Sequence, residues 1–341
     1  LHESSNRAAY AQAHQIRVAS RASRRGVRPS AARVVRMSRV ASLVPVTAGL
    51  ALLLVASTAG AAMPDGPPPP LGHAWTLSVW TLLPISLAAL VYTSGLVRTR
   101  RASAGTVNTG AARGALTFAA GLLALGFALV WPLDTFAAYA LSAHVAQHMT
   151  LLAWAPPLLL IARPGAVAAH ALPRAVASWL ANVLAPVGRW AHAQLGAATL
   201  VHVGTMWLWH LPAATSATLA SEPLHRTMLA SVLLAGLWFW SAVLHRLRTR
   251  DGGATGALVA LVTAMMLMGF LGALLTFSPR LLYPAYTDRA LLAGLDAVRD
   301  QQLAGLLMWV PAGLPYLVVG MCLVVALLRS LHRDTADGPA A

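Results

Sequence analysis

Long apolar runs are the feature that most constrains how this chain can fold. Of its 341 residues, 57% are hydrophobic and 10% are charged, whereas a soluble domain carries roughly 25% charged residues. Windows of about 19–20 apolar residues indicate membrane spans, and they occur at residues 76–97, 115–131, 141–162, 195–211, 226–245, 255–277 and 304–328. We therefore predict an all-α fold, a polytopic bundle of transmembrane helices with a seven-span core.

The chain before this core divides into three segments. Residues 1–39 are rich in arginine and serine and lack apolar periodicity, so we expect a disordered leader. Because the first methionine is Met37, we expect translation to start at or near it, and a transit peptide is the alternative. Residues 40–62 form either an additional N-terminal span or a signal-like segment, and residues 63–75 form a proline-rich linker.

The rest of the chain divides into a membrane domain and a short tail. We predict a membrane domain over residues 76–328 and a cytoplasmic tail over residues 329–341. Residues 170–190 are apolar but are interrupted by Pro173 and Pro186. We interpret them as an interfacial segment rather than as a span.

Arginines are concentrated in alternate loops, which orients the predicted bundle. They occur after the first, third, fifth and seventh core spans, as Arg98, Arg100, Arg101, Arg113, Arg163, Arg174, Arg189, Arg246, Arg248, Arg250, Arg329 and Arg333. The positive-inside rule places these loops and the C-terminus in the cytoplasm, and we expect a multi-pass protein of the plasma membrane. The net charge of +15 is then explained largely by the arginines of the cytoplasmic side. We therefore expect the lipid bilayer as a partner, and we expect no nucleic acid.

Histidines are placed where this topology puts the outer leaflet. His144 and His148 are four residues apart and share one helix face. His202 and His210 lie on one stripe of the next span, and His225 begins the span after it. Ionisable side chains in a membrane segment are costly and are usually functional. We predict that these five histidines supply the ligands of a metal site.

The predicted metal is copper. Imidazole binds copper, zinc, iron and nickel, whereas thioether favours Cu(I), and Met149, Met206 and Met228 are interleaved with the histidines. Cys322 is the single cysteine of the chain, so neither a disulfide framework nor a cysteine-based site is expected. Affinity should fall at lower pH, as the imidazoles become protonated.

Other polar residues are predicted to support the ligands. Asp134, Gln147, Asp300 and Met206 are candidates for a second shell that orients the imidazoles. An alternative role for Asp300 is to favour the N-terminus of its own helix.

Alternative chemistries leave different signatures. Val145 stands where a zinc protease has its catalytic glutamate, which removes that interpretation. Facing histidines are also compatible with a b-type haem of an electron-transfer protein. Pro156 and Pro157 interrupt a span, as in the broken helices of transporters. A membrane haem protein and a metal transporter therefore remain alternatives.

Several ordered motifs give the chain a family resemblance. They are Pro132-Leu133-Asp134, Ser142-Ala143-His144-Val145-Ala146-Gln147-His148-Met149, Ala155-Pro156-Pro157-Leu158-Leu159, Trp207-Leu208-Trp209-His210-Leu211-Pro212, Leu224-His225, Leu234-Ala235-Gly236-Leu237-Trp238-Phe239-Trp240, Asp300-Gln301-Gln302-Leu303-Ala304-Gly305 and Trp309-Val310-Pro311. Together they resemble the integral-membrane CtaG family of cytochrome c oxidase assembly factors. The resemblance covers roughly residues 76–328.

The resemblance implies a seven-span protein that is not an enzyme and that assists the assembly of haem–copper cytochrome c oxidase. It implies copper delivery or insertion at the outer face, with oxidase subunits as partners. The family often has a further histidine four residues after the position of His225, where this chain has Leu229. This departure makes His202 or a methionine the substitute ligand.

Overall fold

The computed structural model describes residues 66–102, 109–249 and 253–336. The predicted leader, the apolar run at 40–62 and the end of the tail lie outside these residues. Within them, all regular structure is helical, which confirms the all-α prediction. The α-helices are α1 (Val79–Ala102), α2 (Thr109–Leu129), α3 (Leu133–Phe136), α4 (Leu141–Met149), α5 (Ala155–Ile161), α6 (Pro164–Ala171), α7 (Arg174–Ala193), α8 (Leu195–Trp209), α9 (Pro212–Ala220), α10 (Glu222–Thr249), α11 (Ala254–Phe277), α12 (Thr287–Leu292) and α13 (Ala297–Ala336).

The described helices confirm a membrane protein with several spans. Five of them are long and apolar enough to cross a bilayer, namely Val79–Arg101, Thr109–Phe136, Glu222–Thr249, Ala254–Phe277 and Ala297–Arg329. A sixth candidate is the bent pair Leu141–Ile161 and Pro164–Ala171, whose axes differ by 55°. Helix α8 is apolar but has only 15 residues. The exact number of seven spans therefore stays a prediction.

Contacts between loops show that the bundle has two chemically different ends. At one end, Arg98 donates to the carbonyl of His170 (3.4 Å), and Arg246 donates to that of His192 (2.7 Å). We call this the arginine end. At the other end, Tyr283 donates to the carbonyl of His210 (2.6 Å), and we call it the histidine end. The orientation that the alternating loop charges predict stays a prediction.

The third predicted span is broken in its middle. Helix α4 passes into a π-helical turn, Thr150–Trp154, and this turn passes into α5. Pro156 lacks the N–H that would bond to the carbonyl of Leu152 in a regular helix. The indole N–H of Trp240 replaces it, donating to that carbonyl over 3.0 Å. The predicted interruption by the two prolines is thus present, and a side chain of α10 satisfies the exposed backbone.

Helix α10 approaches this break closely because Gly236 has no side chain. A Cβ at this position would lie 2.8 Å from the carbonyl oxygen of Leu152 and 3.0 Å from Cγ of Pro156. Both distances are shorter than ordinary van der Waals contact. The contact between the π-helical turn and α10 therefore depends on glycine at position 236.

We predict that Trp240→Phe destabilises the bundle. The substitution keeps the aromatic ring but removes the N–H, which leaves the buried carbonyl of Leu152 without a donor at a cost of about 1–3 kcal/mol. The unfolding temperature of the purified protein in detergent should fall. Trp207→Phe is the matched control, because Trp207 stacks on Phe270 with ring centroids 6.1 Å apart and a phenyl ring preserves that contact. An equal effect in both variants would contradict the role of the indole.

Candidate functional site

Two histidines of α4 form the centre of the candidate site. His144 and His148 are 1% and 0% exposed, and their ring centroids are 4.3 Å apart. The four-residue spacing on one helix face accounts for this proximity. The site is therefore enclosed in protein rather than open to bulk water.

Two further helices bring a histidine each to this pair. His210 follows the last residue of α8, and its ring lies 5.3 Å from His148 and 6.5 Å from His144. His225 lies in the first turn of α10, 6.5 Å from His144. These are distances between ring centroids. We call His144, His148, His210 and His225 the histidine cluster.

Most of the ring nitrogens in the cluster have no hydrogen-bond partner. His210 Nδ1 donates to the carbonyl of Met206 over 2.8 Å, and its Nε2 is unpartnered and buried. Both nitrogens of His144, both nitrogens of His148 and Nδ1 of His225 are also buried without a partner. Buried polar groups are normally hydrogen-bonded, and each exception requires an explanation. Six imidazole nitrogens of the cluster are thus buried without a hydrogen-bond partner in the part of the chain that the structure describes.

The cluster is not arranged as a finished coordination sphere. Within the described residues, no group of three or more histidine, cysteine, aspartate or glutamate side chains is placed to hold a metal ion directly. Imidazole nitrogens bind metals at about 2 Å, so two rings on one ion have centroids on the order of 5–6 Å apart. The observed centroid separations of 4.3–6.5 Å span this range. The four rings are therefore near one another without being arranged for coordination.

Asp134 connects two candidate residues at the edge of the cluster. Its Oδ1 accepts a 2.9 Å hydrogen bond from Nε2 of Gln147 and lies 3.6 Å from Nε2 of His225. Gln147 also donates to the carbonyl of Ala128 over 2.9 Å. The carboxylate therefore holds the Nε2 side of His225 and leaves Nδ1 for the cluster, which is the arrangement expected for a group that orients an imidazole.

Asp300 acts on the helix that carries the central pair. Its carboxylate accepts a 2.6 Å hydrogen bond from the backbone N–H of Leu141 and further bonds from the N–H and hydroxyl of Ser142. A negative charge at a helix N-terminus is favourable. The sequence offered either an orienting role or a cap on its own helix. Asp300 does lie in the first turn of its own helix, α13, and it also caps α4, two residues before His144.

A tyrosine-containing loop covers the cluster at the histidine end. The hydroxyls of Tyr283 and Tyr286 donate to the carbonyls of His210 (2.6 Å) and Ala137 (2.8 Å). The ring of Tyr286 lies 6.2 Å from that of His144. Burial raises the pKa of Tyr283 to about 12 and also raises the pKa of Tyr286, so both phenols stay protonated as donors. We call residues 280–292 the cover.

His202 lies apart from the cluster. Its Nε2 is 2.6 Å from the hydroxyl of Tyr316, and its ring stacks on Phe239 with centroids 4.2 Å apart. Its Nδ1 is buried without a partner. Met206 contributes its backbone carbonyl to His210, and its side chain is buried in the hydrophobic core. His202 is therefore not brought to the other four histidines, although it shares a helix stripe with His210.

The residues of the cover were not anticipated from sequence. Tyr283 and Tyr286 lie in a loop of mixed charge, and no periodicity marks them. The only available signal was their three-residue spacing around Pro284, which fits a single helical turn. The structure places that turn at Pro284–Tyr286.

The sequence comparisons connect this architecture with one family. The profile of the family described as cytochrome c oxidase caa3 assembly factor (Caa3_CtaG) matches residues 90–330. The match contains the whole histidine cluster and more than two thirds of the chain. No curated protein and no solved structure matches the chain.

We predict that Asp300→Asn both destabilises the protein and disturbs the cluster. The variant replaces one carboxylate oxygen by an amide nitrogen, which cannot accept from the backbone of α4, and it removes the charge. Hydrogen bonds to charged groups contribute about 1.5–3 kcal/mol, and the unfolding temperature should fall accordingly. Asp288→Asn, at an exposed carboxylate of α12, is the control. Equal unfolding temperatures in wild type and Asp300→Asn would contradict the cap.

Proposed function

Because the chain belongs to the cytochrome c oxidase caa3 assembly factor family, we propose that it carries copper to the oxidase at the outer face of the plasma membrane. Copper is the cargo in this proposal, and the role is not enzymatic. The histidine cluster receives the ion and passes it to an oxidase subunit. The seven-span topology, with the arginine end in the cytoplasm, is part of the same proposal.

The observation that carries the proposal is the set of six buried imidazole nitrogens without partners. A protein gains nothing in stability by burying such groups, whereas a metal ion uses their lone pairs. Four rings from three helices offer two to four nitrogen ligands after ring rotation. A site of neutral nitrogen donors without thiolate suits copper that must be held and then released.

The surrounding residues have distinct parts in this mechanism. His144 and His148 form the rigid centre, because Asp300 fixes the start of their helix. His210 is held by its own Nδ1 bond, which presents Nε2 to the cluster. Asp134 holds the opposite side of His225 and presents its Nδ1. Two of the four rings, those of His210 and His225, are thus held on one side before copper arrives, and the rings of His144 and His148 rotate to meet the ion.

The geometry favours copper over a b-type haem. In a bis-histidine haem, a porphyrin plane fills the space between two facing imidazoles. The ring of His148 lies 4.3 Å from that of His144 and 5.3 Å from that of His210, whereas the rings of His144 and His210 are 6.5 Å apart. His148 therefore occupies the space between His144 and His210 that a porphyrin would need. A purified protein with a Soret band would support the haem alternative instead.

Release of copper requires the cover to move, because the cluster is buried. Three hydrogen bonds attach the cover to elements that carry or flank the histidines. Two come from the hydroxyls of Tyr283 and Tyr286, and the third comes from the guanidinium of Arg289, which donates to the carbonyl of Ala138 over 3.2 Å. Opening the cover breaks these bonds, together with the two bonds that join Arg280 and Leu282 to Gln301 of α13. The exchange rate of copper should therefore depend on the strength of these hydrogen bonds.

We predict that the purified protein binds one Cu(I) per chain and that His148→Ala and His210→Ala each weaken binding at least tenfold. Each substitution removes a ligand from the centre of the cluster. Competition with a coloured Cu(I) chelator measures the affinity. His202→Ala is the matched control, since it removes a buried histidine outside the cluster and should leave the affinity unchanged.

Two results would contradict this assignment. One is equal copper affinity in His148→Ala and wild type, and the other is loss of binding only in His202→Ala. In cells, a deletion strain should assemble an oxidase with less copper. The wild-type gene should restore its copper content, whereas the His148→Ala gene should not. Normal oxidase in the deletion strain would remove the assembly role itself.

We also predict that Tyr283→Phe and Tyr286→Phe accelerate copper exchange. Each variant deletes one hydrogen bond of the cover, and a net contribution of about 1 kcal/mol corresponds to roughly fivefold in the opening equilibrium. Stopped-flow transfer of bound Cu(I) to a chelator measures the rate. Tyr92→Phe, at the arginine end, is the control. Unchanged rates in both cover variants would show that copper leaves by another route.

A further inference from the structure

A group of basic side chains at the arginine end is not used by the proposed copper function. Arg246 donates to the carbonyl of His192 (2.7 Å), at the end of α7, and Arg248 donates to the carbonyl of Leu160 (2.9 Å), at the end of α5. The rings of His192 and His245 stack, with centroids 4.3 Å apart. The end of α10 is therefore attached to two other helices through arginines that bind their terminal carbonyls.

Arg163 belongs to the same group and occupies a costly backbone conformation. It stands at the bend between α5 and α6 with φ 53°, in the left-handed region, and it precedes Pro164. Glycine adopts this conformation without steric cost, and a residue before proline is further restricted. The chain has arginine there instead. A strained residue of this kind points to a role for its side chain.

The guanidinium groups of Arg163 and Arg248 are not neutralised by a described carboxylate. The backbone of Arg163 bonds to Leu160 and Ala166, but its guanidinium makes no hydrogen bond or ion pair with any described residue, and its charge repels that of Arg248. Arg248 uses only Nη2 for its bonds to the carbonyls of Leu160 and Ile161. The acidic side chains that the structure describes are all at the histidine end, namely Asp134, Glu222, Asp288, Asp296 and Asp300.

The nearby histidine does not add charge to this group. Burial first, and then the adjacent His245, Arg246 and Arg248, together lower the pKa of His192 to about 4. His192 is therefore neutral near pH 7. The positive charge of the group comes from its arginines, which stay charged at every physiological pH.

Helix α7 places this group at a membrane surface. It connects two apolar segments, α4–α6 and α8, at the arginine end, and it is not among the candidate spans. One stripe of the helix is apolar and exposed, formed by Val176, Trp179, Val183, Val187 and Trp190. Its C-terminal part is fixed to α10, where Trp190 stacks on Trp238 at 5.5 Å. An amphipathic helix with such a stripe lies in the interface plane of a bilayer.

We propose that Arg163 and Arg248 bind the phosphate of an anionic phospholipid at the arginine end. The unused N–H groups of the two guanidinium groups match phosphate oxygens. Ile161, which is 44% exposed and two residues before Arg163, offers apolar surface for an acyl chain. The in-plane helix α7 keeps the group at headgroup depth. Basic pockets between membrane helices recognise such headgroups.

The lipid has a structural consequence at the bend. Its phosphate relieves the repulsion between the two arginines, which lie on the α5–α6 bend and on α10. Binding therefore stabilises the contact between these elements. The proposal is independent of copper, because neither arginine contacts the histidine cluster.

The test compares phosphatidylglycerol with phosphatidylcholine on the purified full-length chain in detergent, by native mass spectrometry and by unfolding temperature. Phosphatidylglycerol should bind more tightly, with each arginine contributing about fivefold, and it should raise the unfolding temperature more. Arg163→Gly should lose about fivefold of this preference. Because glycine relieves the backbone strain, this variant should also be at least as stable as wild type without lipid. Arg248→Gln should lose a similar factor.

Matched variants and competitors separate the possible outcomes. Arg329→Gln removes one charge from the same end, in α13, and should keep the preference for phosphatidylglycerol. A large excess of inorganic phosphate should not displace the lipid. Displacement by phosphate would overturn the lipid assignment in favour of a free-anion site. Equal binding of the two lipids, or full preference in Arg163→Gly, would overturn the site.

Discussion

The carboxylate of Asp300 is the interaction on which the candidate site depends. It connects the first turn of α13 to the first turn of α4, residues that are separated by 158–159 positions in the chain. Without this acceptor, the first N–H groups of α4 would be buried and unsatisfied. The cap fixes where α4 begins and therefore fixes the depth and direction of His144 and His148. The other two histidines come to a centre that is already positioned.

A buried backbone carbonyl at the break in the third span has a hydrogen-bond donor, whereas most ring nitrogens of the histidine cluster have no partner among the described residues. At the break in the third span, Trp240 satisfies the carbonyl that Pro156 leaves free, as the bilayer requires of every backbone group. A few residues away, six imidazole nitrogens have no such partner. Nδ1 of His202 and Oε1 of Gln147 are also buried without a partner, but among the described residues only the cluster gathers six such atoms on neighbouring rings. This concentration is the physical basis of the proposed copper site.

The sequence predicted the parts of the site that follow from periodicity and charge. The spacing of His144 and His148 indicated a shared helix face, and the alternating arginine loops indicated that His210 and His225 lie at the same end. His202 shows where this reasoning stops. Its stripe is the same as that of His210, yet its partner Tyr316 is 114 positions away, and spacing within one helix carries no information about such a contact. The cover and the helix that Asp300 caps were beyond prediction for the same reason.

Leu229 occupies the position where the family often has a further histidine, and its surroundings are apolar. Leu229 is 2% exposed and belongs to the hydrophobic core, so this position of α10 contributes apolar packing and no ring nitrogen. His202, which with a methionine was the expected substitute, contacts Tyr316 and Phe239, and a substitute ligand stays a prediction. The single histidine that α10 contributes is instead the one whose far side is held by Asp134. In the proposed copper site, a histidine that is oriented by a carboxylate gains in basicity and in fixed direction.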